Sequence, residues 1–140
     1  KMAGYHIKFI KKGVLGQFSK IEEEFNEFID AHEQNSSVME LIELSDLIGA
    51  TISFYRTHGK ESRCVNVHDV LMKEKSNTII SFEELVEKFN AINQSNPDFT
   101  DLANFILYIH HYVKQFNLSY KDLYKMHIIT ERAFLSGQRK

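Results

Sequence analysis

Apolar residues recur at helical spacing along most of this chain. Ile21, Phe25, Phe28 and Ile29 fall on one side of a first helix, and Leu41, Leu44, Ile48, Ile52 and Tyr55 on one side of a second. Breakers are scarce: there is one proline, Pro97, and the six glycines lie mostly in residues 4–16 and 49–59. Ser or Thr with an acid three residues later marks a helix start. Ser19 precedes Glu22 in this way, Ser37 precedes Glu40, Ser81 precedes Glu84 and Ser119 precedes Asp122. Asn96-Pro97-Asp98 reads as a cap, a first-turn proline and an acid matched to the helix dipole. Together these signals predict helices at roughly 19–33, 37–57, 81–93, 97–116 and 119–135. The expected fold is all-α, an antiparallel bundle of about five helices in one domain over residues 1–140. Residues 57–78 are polar and lack a clear cap, so they read as a linker with a short helix around 67–73. The whole stretch at about 57–97 reads as a linker or insertion in the bundle. Residues 5–16 are basic and contain glycine, and no element is assigned to them.

Composition narrows the class. At 140 residues, with 43% hydrophobic and 26% charged, the chain suits one globular domain with a real core. A net charge of −2 lacks the basic footprint of nucleic-acid binding and disfavours a helix-turn-helix reader. No apolar run reaches membrane-spanning length, and no signal-peptide pattern opens the chain. Cys64, the one cysteine, has no internal partner and no zinc-ligand spacing around it, which points to the cytoplasm.

The candidate chemistry is carboxylate chemistry. Glu22 and Glu40 are accounted for as cap partners, and Glu23 and Asp30 as a solvated face opposite the apolar stripe. Glu24 and Glu27 lie three apart on one helix, and Glu43 and Asp46 three apart on the next, so each pair shares a side. A short connection makes the two helices antiparallel neighbours, which lets the four carboxylates converge. The second helix is apolar nearly all round, with Ile42, Leu47, Ala50 and Phe54 flanking Glu43 and Asp46. Burying two carboxylates there is costly, and a bound cation resolves the cost. Oxygen ligands of this kind suit Mg²⁺ or Mn²⁺. The small residues Gly49, Ala50 and Ser53 leave room for a ligand.

These residues resemble a known family. Lys20-Ile21-Glu22-Glu23-Glu24-Phe25-Asn26-Glu27-Phe28 followed by Glu43-Leu44-Ser45-Asp46-Leu47 is similar to the E-x-x-E, spacer, E-x-x-D signature of MazG-type all-α nucleoside triphosphate pyrophosphohydrolases, with a spacer of 15 residues (28–42). The segments Lys11-Lys12-Gly13-Val14-Leu15-Gly16 and Thr130-Glu131-Arg132-Ala133-Phe134 look like the ends of small phage-type members. The middle, about 59–100, is extra. The resemblance implies Mg²⁺-dependent cleavage of a nucleoside triphosphate into monophosphate and pyrophosphate. It implies metal ligands Glu24, Glu27, Glu43 and Asp46, with one of them or Glu23 handling the attacking water. Glu23 and Glu24 are the catalytic candidates. Lys125 and Arg132, seven apart on one helix side, Arg139 on the tail and Lys12 on the arm are candidate phosphate contacts. Basic residues at a helix C-terminus also match its dipole. A homodimer or homotetramer is expected.

A fainter echo, Glu84 and Glu87 followed by Asp98 and Asp101, fits either a decayed second site or a plain acidic helix pair. Phe54 or Tyr55 is a candidate base-stacking ring, with a core role favoured. His110 and His111 diverge on a helix and read as surface or core residues. Two further readings stand beside the pyrophosphohydrolase. One is a non-enzymatic helical interaction module with a vestigial acidic site. The other is a related enzyme acting on phosphoribosyl-ATP.

Overall fold

The computed structural model describes residues 6–137. They form six α-helices packed against one another and no strand: α1 Phe18–Glu33, α2 Ser37–Thr57, α3 Glu61–Met72, α4 Phe82–Asn90, α5 Phe99–Val113 and α6 Tyr120–Leu135. A 3₁₀ turn, Lys114–Phe116, prolongs α5. The all-α expectation holds, with six helices rather than about five. No described helix is long and apolar enough to cross a membrane.

α1 and α2 form an antiparallel hairpin and make the most extensive contact in the fold. Asn35 turns the chain with φ 57°, a left-handed conformation that asparagine tolerates. Ser36 then caps α2, its hydroxyl accepting the Met39 amide at 3.2 Å. At the open end, Phe18 of α1 meets Phe54 of α2, with ring centroids 6.2 Å apart. Gly16 lies in the left-handed region, and a Cβ there would sit 2.6 Å from Thr57 Oγ1. Glycine therefore lets the incoming chain reach the hairpin.

The apolar side of α1 is the floor of the core. Phe25 stacks on Phe89 of α4 at 4.0 Å and meets Phe105 of α5 edge-on at 5.7 Å. Phe28 packs on Phe82 of α4 and Tyr112 of α5. Full burial of one such ring contributes about 2–3 kcal/mol. The opposite side of the hairpin is covered by α6, whose His127 ring fills the notch at Gly49. α3 closes one edge through His68, which meets Tyr120 and Tyr124.

Several helix starts differ from the sequence reading. α1 begins beyond Gln17 with no side-chain cap, because the Ser19 hydroxyl accepts the Val14 amide at 3.0 Å instead of closing a box with Glu22. Ser36 rather than Ser37 caps α2, so Glu40 is no cap partner. It is buried, accepting the Tyr112 hydroxyl and lying 3.3 Å from His32. The capping boxes at Ser81–Glu84 and Ser119–Asp122 form as expected. α5 is capped by Asp98, which accepts the Thr100 amide at 2.7 Å, so Pro97 lies before the cap rather than in the first turn. Where a short helix was expected around 67–73, α3 has 12 residues and buries only Leu71. A helix that buries so little leaves a weak periodic signal.

Candidate metal centre

α1 carries Glu23, Glu24, Glu27 and Asp30, and α2 carries Glu43 and Asp46. The antiparallel pairing sets these two runs side by side midway along the hairpin. Five of the six are buried: Glu23 is 2% exposed, Glu24 3%, Glu27 4%, Asp30 0% and Glu43 0%. Asp46 is half-buried. Carboxylates buried to this degree require partners or a cation.

Three overlapping groups could hold a metal ion, each with one ligand atom per residue and all atoms within 4.8 Å of one another. They are Glu24 with Glu43 and Asp46, Glu23 with Glu24 and Glu27, and His6 with Glu27 and Glu43. All four ligand candidates from the two sequence motifs thus lie in one connected cluster. The first group joins both motifs across the hairpin.

The burial of Glu23 and Asp30 corrects their assignment to a solvated face. That face is covered by residues 6–16, which run beside α1 in the opposite direction. The Gly13 amide donates to Glu23 Oε1 at 2.9 Å, and the Ile7 amide to Asp30 Oδ2 at 3.2 Å. Lys8 pairs with Glu33. The arm lies so close at Gly13 that a Cβ there would stand 2.2 Å from the Ser19 carbonyl oxygen. Any other residue would push the arm away from the centre.

The arm delivers His6, which no sequence signal marked. Its Nδ1 is 2.8 Å from Asp30 Oδ2, and its Nε2 is 3.1 Å from Glu43 Oε2 and 3.6 Å from Glu27 Oε2. Gln34 Nε2 also donates to Asp30 Oδ2, at 2.9 Å. Burial pushes the Asp30 carboxyl up, but the hydrogen bonds from His6, Gln34 and the Ile7 amide outweigh it and hold it below its ordinary value.

Lys20 closes the other end, with Nζ 3.0 Å from Glu23 Oε1 and 3.2 Å from Glu24 Oε2. Burial pulls the Lys20 ammonium down, yet the bonds and charges of Glu23 and Glu24 win and raise it. Lys12 Nζ lies 4.0 Å from Glu23 Oε2 on an exposed side chain, so the arm brings one candidate phosphate contact to the rim.

Other candidates are not gathered here. Lys125 and Arg132 stand exposed on α6, and among the described residues neither pairs with the cluster. Arg139 lies outside the described residues. Glu84 is spent on the α4 capping box and Asp98 on the α5 cap, while Glu87 and Asp101 are exposed. None of these four joins a potential metal-holding group among the described residues. The space expected beside Gly49 is occupied: His127 Nδ1 would lie 2.5 Å from a Cβ there. Phe54 and Tyr55 are core residues, as are His110 and His111.

No protein-family model, curated protein or solved structure matches this chain.

Proposed function

We propose that the chain is a Mg²⁺-dependent nucleoside triphosphate pyrophosphohydrolase, with Mn²⁺ as an alternative cation, releasing a monophosphate and pyrophosphate. One observation carries the reading: carboxylate oxygens of buried Glu24 and Glu43 and half-buried Asp46, from two helices, lie within 4.8 Å of one another. Their chemistry fits the ion, since Mg²⁺ and Mn²⁺ take hard oxygen donors. The nucleotide part of the reading comes from the resemblance of the two motifs to the MazG-type enzymes.

Glu24, Glu27, Glu43 and Asp46 hold the cation in this account. When bound, it neutralises phosphate oxygens and lowers the pKa of an attacking water. Glu23 accepts from the Gly13 amide and Lys20 through one oxygen, so it anchors the arm, and either Glu23 or Glu24 takes the proton of the attacking water. Lys12, at the rim, meets the triphosphate. Lys125 and Arg132 serve if α6 of a second copy approaches. Ile129, Phe134 and Leu135, all more than half exposed on α6, support a homodimer or homotetramer.

The test is pyrophosphate release from a panel of ribo- and deoxynucleoside triphosphates and phosphoribosyl-ATP with Mg²⁺. Wild type is expected to turn over at least one nucleoside triphosphate, and Glu43→Gln to lose at least 100-fold in kcat/KM. Cleavage of phosphoribosyl-ATP alone would favour the related enzyme. No release from any compound would favour a non-enzymatic module.

A further inference from the structure

The open end of the α1–α2 hairpin carries a cleft that takes no part in the acidic centre. Its volume is about 450 Å³, within the range of small-molecule sites. Three stretches build it: Gln17, Ser19 and Glu22 at the start of α1, Phe54 and His58 at the end of α2, and residues from 94 to 99 between α4 and α5.

One wall is aromatic. Buried Phe54 backs it, with the half-buried Phe99 ring 5.3 Å away and the exposed His58 ring 4.2 Å away. A carbonyl can only accept, so His58 Nδ1–H donates to the Phe54 carbonyl, at 2.9 Å, and the ring is held in place. Lys60 and Arg63 lie over Phe99 at 6.0 and 5.7 Å, but neither lines the cleft.

The rim is polar. Gln17, Gln94 and Asn96 each offer an amide donor and an amide acceptor. The Ser19 hydroxyl accepts the Val14 amide, so Glu22 closes no capping box and lines the cleft instead. Glu22 is the one acid among the lining residues, and none of them is Lys or Arg. The α4–α5 connection is preorganised by Asn93 Oδ1, which accepts the Ser95 and Asn96 amides at 3.1 and 3.3 Å.

Rings beside carboxamides and a single carboxylate suit a flat, neutral heterocycle with hydrogen-bonding edges. A phosphate group would meet the like charge of Glu22 and no lining Lys or Arg. Aromatic stacking accepts any base, and polar edges discriminate among them. A carboxylate accepts from an exocyclic amine and repels a carbonyl oxygen, so Glu22 favours cytosine and adenine over uracil and thymine. The cleft also lies near the acidic centre. Ser19 precedes Glu24 by about 7.5 Å of helix rise, and between them Lys20 places Nζ 3.2 Å from Glu24 Oε2.

We infer that this cleft binds the base of a nucleotide, stacked against His58 and Phe99, with an exocyclic amine on Glu22. The phosphate chain then runs past Lys20 toward Glu24. Placing a nucleotide there rests on the pyrophosphohydrolase reading, whereas base binding is measurable without phosphate or metal.

The probes are adenosine, cytidine, uridine, thymidine and ribose, titrated into the full chain with chelator and followed by amide nuclear magnetic resonance. Adenosine and cytidine are expected to shift amides at 17–22 and 94–99 saturably, uridine and thymidine to bind about 10-fold more weakly, and ribose to leave them unmoved. Glu22→Gln is expected to bring cytidine and uridine to similar affinities. His58→Ala is expected to weaken every nucleoside by about 10-fold and keep the preference for cytidine. No saturable shift with any nucleoside, or equal shifts with ribose alone, would overturn the inference. Equal affinities for cytidine and uridine in wild type would remove Glu22 from base selection. Nucleoside binding in the cleft without pyrophosphate release from any triphosphate would keep the base site and overturn the pyrophosphohydrolase reading. Pyrophosphate release with KM unchanged in both variants would overturn the base site and keep that reading.

Discussion

Glu43→Gln should make the metal-free protein more stable and the metal-loaded protein less stable than wild type. Glu43 is fully buried and has carboxylate oxygens of Glu24 and Asp46 within 4.8 Å. Two unit charges at that distance repel by about 3 kcal/mol at an effective dielectric of roughly 20. Against this stands the charge-assisted bond to His6 at 3.1 Å, worth about 1.5–3 kcal/mol, part of which an amide oxygen retains. Glutamine keeps the shape and removes the charge, so the metal-free variant should gain about 1–3 kcal/mol. A cation that binds only the folded state adds about 2.7 kcal/mol at 100 times its Kd. Wild type should show that gain and Glu43→Gln should not. Urea unfolding with chelator, and again with saturating Mn²⁺, measures all four stabilities. A variant that is less stable without metal, yet keeps the full metal-dependent gain, would refute the picture of an electrostatically strained cation site.

Two further expectations concern the frame around the centre. Tyr112→Phe removes the hydroxyl that donates to buried Glu40 and should cost about 1–3 kcal/mol in urea unfolding, while leaving Mn²⁺ affinity unchanged. An unchanged midpoint would show that His32 alone satisfies Glu40. His110 is buried with Nδ1 accepting the Tyr120 amide, and burial, followed by the nearby Lys114 and His111, pushes its pKa down to about 4. The unfolded chain therefore binds a proton at His110 that the native state refuses. That stabilisation is complete above about pH 6.5 and is lost as the pH falls toward 4, on the order of 2 kcal/mol. Stability measured between pH 7 and 4.5 should fall less in His110→Gln than in wild type, and equal slopes would contradict the assignment.

Contacts local to one helix or one hairpin were legible in the sequence. The ladder of Glu24, Glu27, Glu43 and Asp46 follows from 3.6-residue periodicity plus one short turn, and the structure brings all four into one cluster. Asp30 continues the same ladder, three residues past Glu27, and that spacing could have marked it. The helical wheel alone makes it solvated, because the wheel shows only what α1 itself presents. What covers that face is an arm with no periodicity, joined to α1 acids by contacts 10 to 25 residues apart in sequence. His6 left no signal for the same reason. The Glu40–Tyr112 bond spans 72 residues, so a plausible cap displaced a buried partner. Gly49 suggested a ligand space from its size alone, although only the approach of α6 decides what fills the notch.

Anomalous diffraction at the manganese edge, from crystals grown with Mn²⁺, tests the claim that the acidic centre holds a divalent cation most directly. One strong peak is expected between α1 and α2, within bonding distance of carboxylate oxygens of Glu43 and at least two of Glu24, Glu27 and Asp46. A hairpin without a peak, or manganese found only on exposed acids such as Glu87 and Asp101, would contradict it.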